Sequence, residues 1–192
     1  MAGMDEIVKQ AMLKWPNVPA CAGWLGLDAR GRWFMRDAAA QEAGPFPHSK
    51  GSALEHEGLA QFIGRNYTND AQGRWYFQNG PQRVFVELEV APWIVRIDSD
   101  GTWRTHTGLH VQCVRSLEDE CGRVFIETAQ GLGLLHSLDM LAFSDQLDLH
   151  PQWAPQPVAS ASLAQRYGFV LSPQTLELAS SAAIVSPEQG AA

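Results

Sequence analysis

The segment His106-Thr107-Gly108-Leu109-His110 sets two imidazoles four residues apart, the spacing of paired metal ligands on a helix. Gly108 and the strand-forming residues around it predict a turn instead, where the two rings need not converge. No acid or third histidine stands nearby in sequence, so no metal is implied. His136, Ser137 and Asp139 supply the letters of a hydrolytic triad. Triad members are brought together by a fold rather than by adjacency, and no G-x-S-x-G elbow accompanies them. Gly131-Leu132-Gly133 is too short for a dinucleotide-binding loop, and no cofactor is implied. Glu87 and Glu89 share a strand face with Arg83, a spacing that suits cross-strand ion pairs at least as well as a catalytic carboxylate pair. Cys21, Cys113 and Cys121 are odd in number, with no C-x-x-C, and fit neither a disulfide framework nor a zinc ribbon. No constellation amounts to a mechanism.

The aromatic residues offer more. Trp24, Trp33, Trp75, Trp93 and Trp103 all fall in or beside expected strands, where indoles serve as core or interface material and seek one partner for the N–H. Four strands repeat one pattern: Arg32-Trp33-Phe34, Arg74-Trp75-Tyr76, Arg83-Val84-Phe85 and Arg123-Val124-Phe125. Alternation puts Trp or Val on a core face and arginine plus an aromatic on the other. Two readings follow. Each central aromatic is covered while the arginine stems pass over it, or the face is a ligand surface where aromatics stack and arginines hold anions. Two-sided burial is normal for a helix-covered sheet and favours the first.

The elements that must position these residues are marked by a repeat. An aspartate, two residues and a glycine precede a strand four times: Asp28 to Gly31, Asp70 to Gly73, Asp98 to Gly101 and Asp119 to Gly122. Aspartate at the first position of a type I turn and glycine at the fourth predict four β-hairpins. Helices are expected from Ile7 to Trp15 and from Ser52, with Glu55 completing a capping box, to about Tyr67. A Pro/Gly-rich loop spans 37–52. Strands are expected over 74–78, 82–90, 93–98, 102–106, 109–116 and 123–128, then a strand and helix within 132–149. One short helix is expected to end at Gly168, with a poorly ordered tail closing the chain. The uneven turn spacing excludes a solenoid or propeller. The fold class is α+β: duplicated hairpin-plus-helix units, the second half a larger antiparallel sheet, open or barrel-like. The expected units are 1–69, 70–150 and a Pro/Ala/Ser-rich tail over 151–192.

The chain has 192 residues, 45% of them hydrophobic, and a net charge of −7. That length buries a core without disulfides or metal. Its 14 basic residues form no run or stripe, which speaks against nucleic acid as a partner. The absence of a signal peptide and of any long apolar run speaks against a membrane and for the cytoplasm.

The run Lys14-Trp15-Pro16-Asn17-Val18-Pro19, Gly23-Trp24-Leu25-Gly26-Leu27-Asp28, Phe77-Gln78-Asn79-Gly80-Pro81-Gln82-Arg83-Val84 and Glu87-Leu88-Glu89 resembles a family of uncharacterised proteobacterial proteins. The resemblance covers about residues 5 to 150. More distantly, the order of elements is similar to domain-of-unknown-function family 1285. That resemblance implies a duplicated α+β core with a second half like a pleckstrin-homology barrel. It also implies a pocket between the halves for a nucleotide-like molecule, and a signalling role. Gln82-Arg83 stands where that family carries proline-glutamate-lysine. The leading expectation is a non-enzymatic ligand-binding or regulatory module for a small anionic or nucleotide-like ligand. Arg83 would meet the anion and Trp93 and Trp103 would stack, with Phe85 and Glu87 beside them. A homodimeric interaction module is the alternative, and a cryptic hydrolase the third.

Overall fold

The computed structural model describes residues 4–184. The chain begins with α1 (Glu6–Lys14), β1 (Cys21–Leu27), β2 (Trp33–Met35), α2 (Ala38–Glu42), β3 (Ser52–Ala53), α3 (Glu57–Arg65) and β4 (Tyr67–Asn69). It continues through β5 (Trp75–Asn79), β6 (Gln82–Leu88), β7 (Trp93–Ile97), β8 (Trp103–Thr105), β9 (Arg115–Glu118), β10 (Val124–Thr128) and β11 (Gly131–Leu135). After a 3-10 turn come α4 (Met140–Leu149), β12 (Gln156–Pro157), α5 (Ser160–Tyr167) and α6 (Pro173–Ile184).

The four Asp-x-x-Gly turns fold alike. In each the glycine N–H bonds the aspartate carbonyl, the aspartate N–H bonds the carbonyl just past the glycine, and the glycine takes a positive φ. This is a type I turn completed by a glycine bulge, a backbone that only glycine adopts without strain. Asp28, Asp70 and Asp119 add a clamp. One carboxylate oxygen accepts two backbone N–H groups and the other accepts the guanidinium four residues on. Burial opposes the Asp28 charge, but the bonds from Arg32 and Arg30 outweigh it and hold the carboxyl below its ordinary range. The third turn differs: Asp100 takes the Thr102 N–H, and Asp98 turns to Arg104.

These turns join β1 to β2, β4 to β5, β7 to β8 and β9 to β10, all antiparallel. Two six-stranded sheets result, in the orders β3-β2-β1-β6-β5-β4 and β12-β9-β10-β11-β7-β8. They share one plan. A first hairpin is followed by a second, and the strand after it slots between them, parallel to the first strand of its own repeat. β6 lies beside β1 in this way, and β11 beside β7. Both sheets are therefore mixed rather than purely antiparallel, and neither closes into a barrel.

The duplication holds, but its phase differs from the expected units. The first Asp-x-x-Gly turn corresponds to the third and the second to the fourth. The break expected at 69/70 falls between β4 and β5, whose three paired positions lie inside the first sheet. Over 151–184 the chain adds β12 to the second sheet and packs α5 and α6; residues 185–192 lie outside the described part. Ser52 does not cap a helix. It pairs with Met35 as β3, and the His56 ring caps α3 by accepting the Leu59 N–H. The strand expected over 109–116 is mostly loop, because one bridge from His110 to Arg104 replaces a ladder.

One core joins both sheets: Leu25, Leu27, Val86 and Leu88 of the first meet Ile94, Phe125 and Leu134 of the second, with Ile63 of α3 and Leu163 of α5. The second sheet buries its other face, including Val95 and Ile126, against Phe143 of α4. On the far face of the first sheet, Arg36 is 1% exposed. Its guanidinium donates to the carbonyls of Gly23, Gly44 and Ser49 and to Gln174 Oε1, fastening the 44–49 loop and α6 to β1. No helix among the described residues is long and apolar enough to cross a membrane.

The clamps rank the turns. Asp28→Ala strands two backbone donors and a guanidinium, and is expected to cost about 2–3 kcal/mol in a urea melt. Asp98→Ala removes only an exposed ion pair and is expected to cost about 1 kcal/mol or less. Equal losses would show that the turn backbone, not the carboxylate, carries the hairpins.

Candidate functional site

A cleft of about 600 Å³ opens between the β4 edge of the first sheet and two loops of the second, 107–110 and 129–130. Trp75, Trp93 and Tyr67 wall it. Tyr67 and Trp75 have ring centroids 4.8 Å apart, and Trp93 stands edge-on to both, at 5.4 and 4.9 Å. The polar ends of this wall are occupied: the Tyr67 hydroxyl donates to the Pro92 carbonyl and Trp93 Nε1–H donates to the Gln130 carbonyl. Burial pushes the Tyr67 phenol well above its ordinary pKa. The wall is thus fixed in place and offers its ring surfaces. Thr68, Asn69, Thr107 and Gln130 supply neutral polar groups at the rim beside His110, and Arg65, also at the rim, is held by Asp5. Gly64 of α3 permits the approach of the 107 loop: a Cβ there would stand 3.1 Å from the Thr107 Cβ.

Behind the wall lies His106. Its ring packs against Trp33, Tyr67 and Trp93, with centroids 5.3, 5.9 and 5.9 Å away. Nδ1 accepts the Ile94 N–H, while the buried Nε2 has no hydrogen-bond partner. Burial drives its pKa down to about 3, the nearby Asp28 charge opposing the shift only in part. With Nδ1 accepting, the neutral ring carries its proton on Nε2.

The sequence of the DUF2944 family, described as "Protein of unknown function (DUF2946)", matches residues 4–174. The chain belongs to that family. None of the curated proteins matches it. Among solved structures it is similar to the crystal structure of a DUF1285 family protein from Silicibacter pomeroyi DSS-3 at 2.50 Å resolution. Identity is 15% and the TM-score 0.47, covering 74% of this chain and 76% of that one.

In this DUF2944 chain the expected site residues are divided. Trp93 lines the cleft. Trp103 lines an adjoining hollow that shares His110, Ala129 and Gln130 with it, and its ring packs on Phe143 and Trp153. Arg83, Phe85 and Glu87 are not with them. Val84, Val86 and Leu88 of β6 point into the shared core, so the alternate residues lie on the opposite face of the first sheet. There Arg83 lies over the Tyr76 ring and Arg74 over Phe85, at 5.0 and 4.4 Å, which is the covered-aromatic arrangement. Glu87 is 2% exposed and accepts the Gln174 N–H at the start of α6; burial raises its pKa despite that bond and the Arg36 charge.

The other chemical candidates serve local structure. His136 Nδ1 accepts the Leu138 N–H, and Asp139 holds Arg96 and the Ile97 N–H. His106 is half-buried with its Nε2 inside the protein while His110 is exposed on the loop, and no group of three or more His, Cys, Asp or Glu among the described residues is placed to hold a metal ion. Tyr67 and the two loops were missed as site elements. The 107–110 segment reads as a turn between two strands, and nothing in its composition places it opposite β4.

His106 gives the protein an acid sensitivity of definite sign. In the unfolded chain it takes a proton near 6.5 but in the folded chain only near 3, so stability falls as pH drops through that window. The slope reaches at most about 1.4 kcal/mol per pH unit. In His106→Asn, whose Oδ1 can accept the Ile94 N–H, the loss between pH 6.5 and about 5 should shrink by up to that amount relative to wild type. Parallel pH profiles of the two proteins would contradict the assignment of a neutral, buried ring.

Proposed function

We propose that this chain is a non-enzymatic, cytoplasmic ligand-binding module whose ligand occupies the cleft between the two repeats. One observation carries the reading. The wall of Tyr67, Trp75 and Trp93 is rigidly edge-packed, has its phenol and the Trp93 indole N–H satisfied within the protein, and still borders an open cavity large enough for a small molecule. Such a wall selects for flat, apolar area. The rim selects for neutral hydrogen-bonding groups. Among the described residues that line the cleft there is no carboxylate and no nucleophile paired with an activating base, which supports binding rather than turnover. Two loops from one repeat face a strand edge from the other, so a ligand held there bridges the halves and couples their positions. That coupling suits a regulatory role.

Native mass spectrometry of protein purified from bacterial cells tests the reading. Ala129 is exposed at the cleft rim, and Ala129→Trp is expected to fill the cavity without altering the melting temperature. Wild type should carry a co-purifying small molecule, and Ala129→Trp should carry about a tenth or less of it. Equal occupancy in the two proteins would place the ligand elsewhere.

A further inference from the structure

Basic residues scattered in sequence converge where the first repeat's turn meets β7 and β8. Arg30, Arg96 and Arg104 line one depression of about 340 Å³ with Gly31 and His106. Two features make this arrangement costly as it stands. Arg96 and Arg104 are direct cross-strand partners, so like charges face each other across the β7–β8 pair. Arg30 then adds a third cation from the opposite sheet. Its turn is brought close by Gly31, where a Cβ would come within 2.8 Å of the His106 Cβ.

Two carboxylates pair directly with these arginines. Asp139 takes Nε and Nη2 of Arg96, and Asp98 takes Nη2 of Arg104. The Arg30 guanidinium has no ion-pair or hydrogen-bond partner among the described residues. Each paired guanidinium still has donors beyond those bonds, since arginine presents five in a planar fork. The surplus is felt nearby: burial first, then the charges of Arg96 and Arg30, hold His136 below its ordinary pKa, with Asp139 and Asp28 opposing. The chain as a whole carries a net charge of −7, so this local gathering of cations runs against its overall charge.

We infer that Arg30, Arg96 and Arg104 form an oxyanion site for a phosphate-type group. The anion sits between the opposed guanidiniums of β7 and β8, with Arg30 closing over it from the first repeat. Arg83, the residue that the sequence singles out for an anion, lies on the other face of the first sheet and takes no part. The site stands independently of the cleft, from which it is separated by His106 and with which it shares only Gly108.

Isothermal titration calorimetry at fixed ionic strength tests the inference, with pyrophosphate and inorganic phosphate as probes. Wild type should bind pyrophosphate saturably at one site. Arg30→Ala and Arg104→Ala, both at exposed positions, should each weaken binding by about tenfold or more, while Arg83→Ala and Ala129→Trp leave it unchanged. Inorganic phosphate binding as tightly as pyrophosphate assigns a single oxyanion, and a clear preference for pyrophosphate assigns a diphosphate group. No saturable binding overturns the site. So does wild-type affinity in both Arg30→Ala and Arg104→Ala, or an equal loss in Arg83→Ala, which would reflect diffuse charge alone.

Discussion

An imidazole that stays neutral sits where the two sheets meet. His106 leaves the end of the β7–β8 hairpin, accepts the Ile94 N–H, and packs its ring against Trp33 and Tyr67 of the first sheet and Trp93 of the second. A protonated ring would put a charge inside an aromatic box where only the nearby Asp28 charge offsets it, and burial therefore depresses its pKa. Neutrality is therefore a condition of the junction. The position of β4 against the 107–110 loop, and with it the cleft, follows from that contact. So does the approach of the Gly31 turn to β8, which gathers the three arginines.

Repetition explains why such a junction exists. Each repeat is two hairpins with a returning strand between them, and each alone would leave one face of its sheet without cover. Packing the sheets together buries one common core. The repeats then diverge in what they put on their outer faces. The first uses Arg36 and Glu87 to anchor a loop and α6, and the second covers Val95 and Ile126 with α4. Divergence reaches the turns as well, since Asp98 has given up the backbone clamp that Asp28, Asp70 and Asp119 keep, and pairs with Arg104 instead.

Local chemistry was legible in the sequence and its pairing was not. Asp and Gly at fixed turn positions specify a hairpin wherever they occur, so all four hairpins could be read from residues alone. Which hairpin pairs with which depends on β6 and β11 inserting parallel to β1 and β7, a long-range choice that no local pattern encodes. The expected boundary at 69/70 fell inside a sheet for this reason. Site residues divided along the same line. Trp93 is identifiable as an indole that seeks a partner, whereas strand alternation puts Arg83 and Glu87 on one face without telling what covers it. Tyr67 and Gln130 become site residues only once two distant loops meet.

The central claim is that the junction cleft is where this protein meets its ligand. Backbone amide chemical shifts, recorded before and after adding the small-molecule fraction of a bacterial extract, test it directly. The account predicts saturable changes concentrated at residues 67–69, 107–110 and 129–130 and at the indole N–H of Trp93. Changes confined to the Arg83 face of the first sheet, or no saturable change at the cleft, would contradict it.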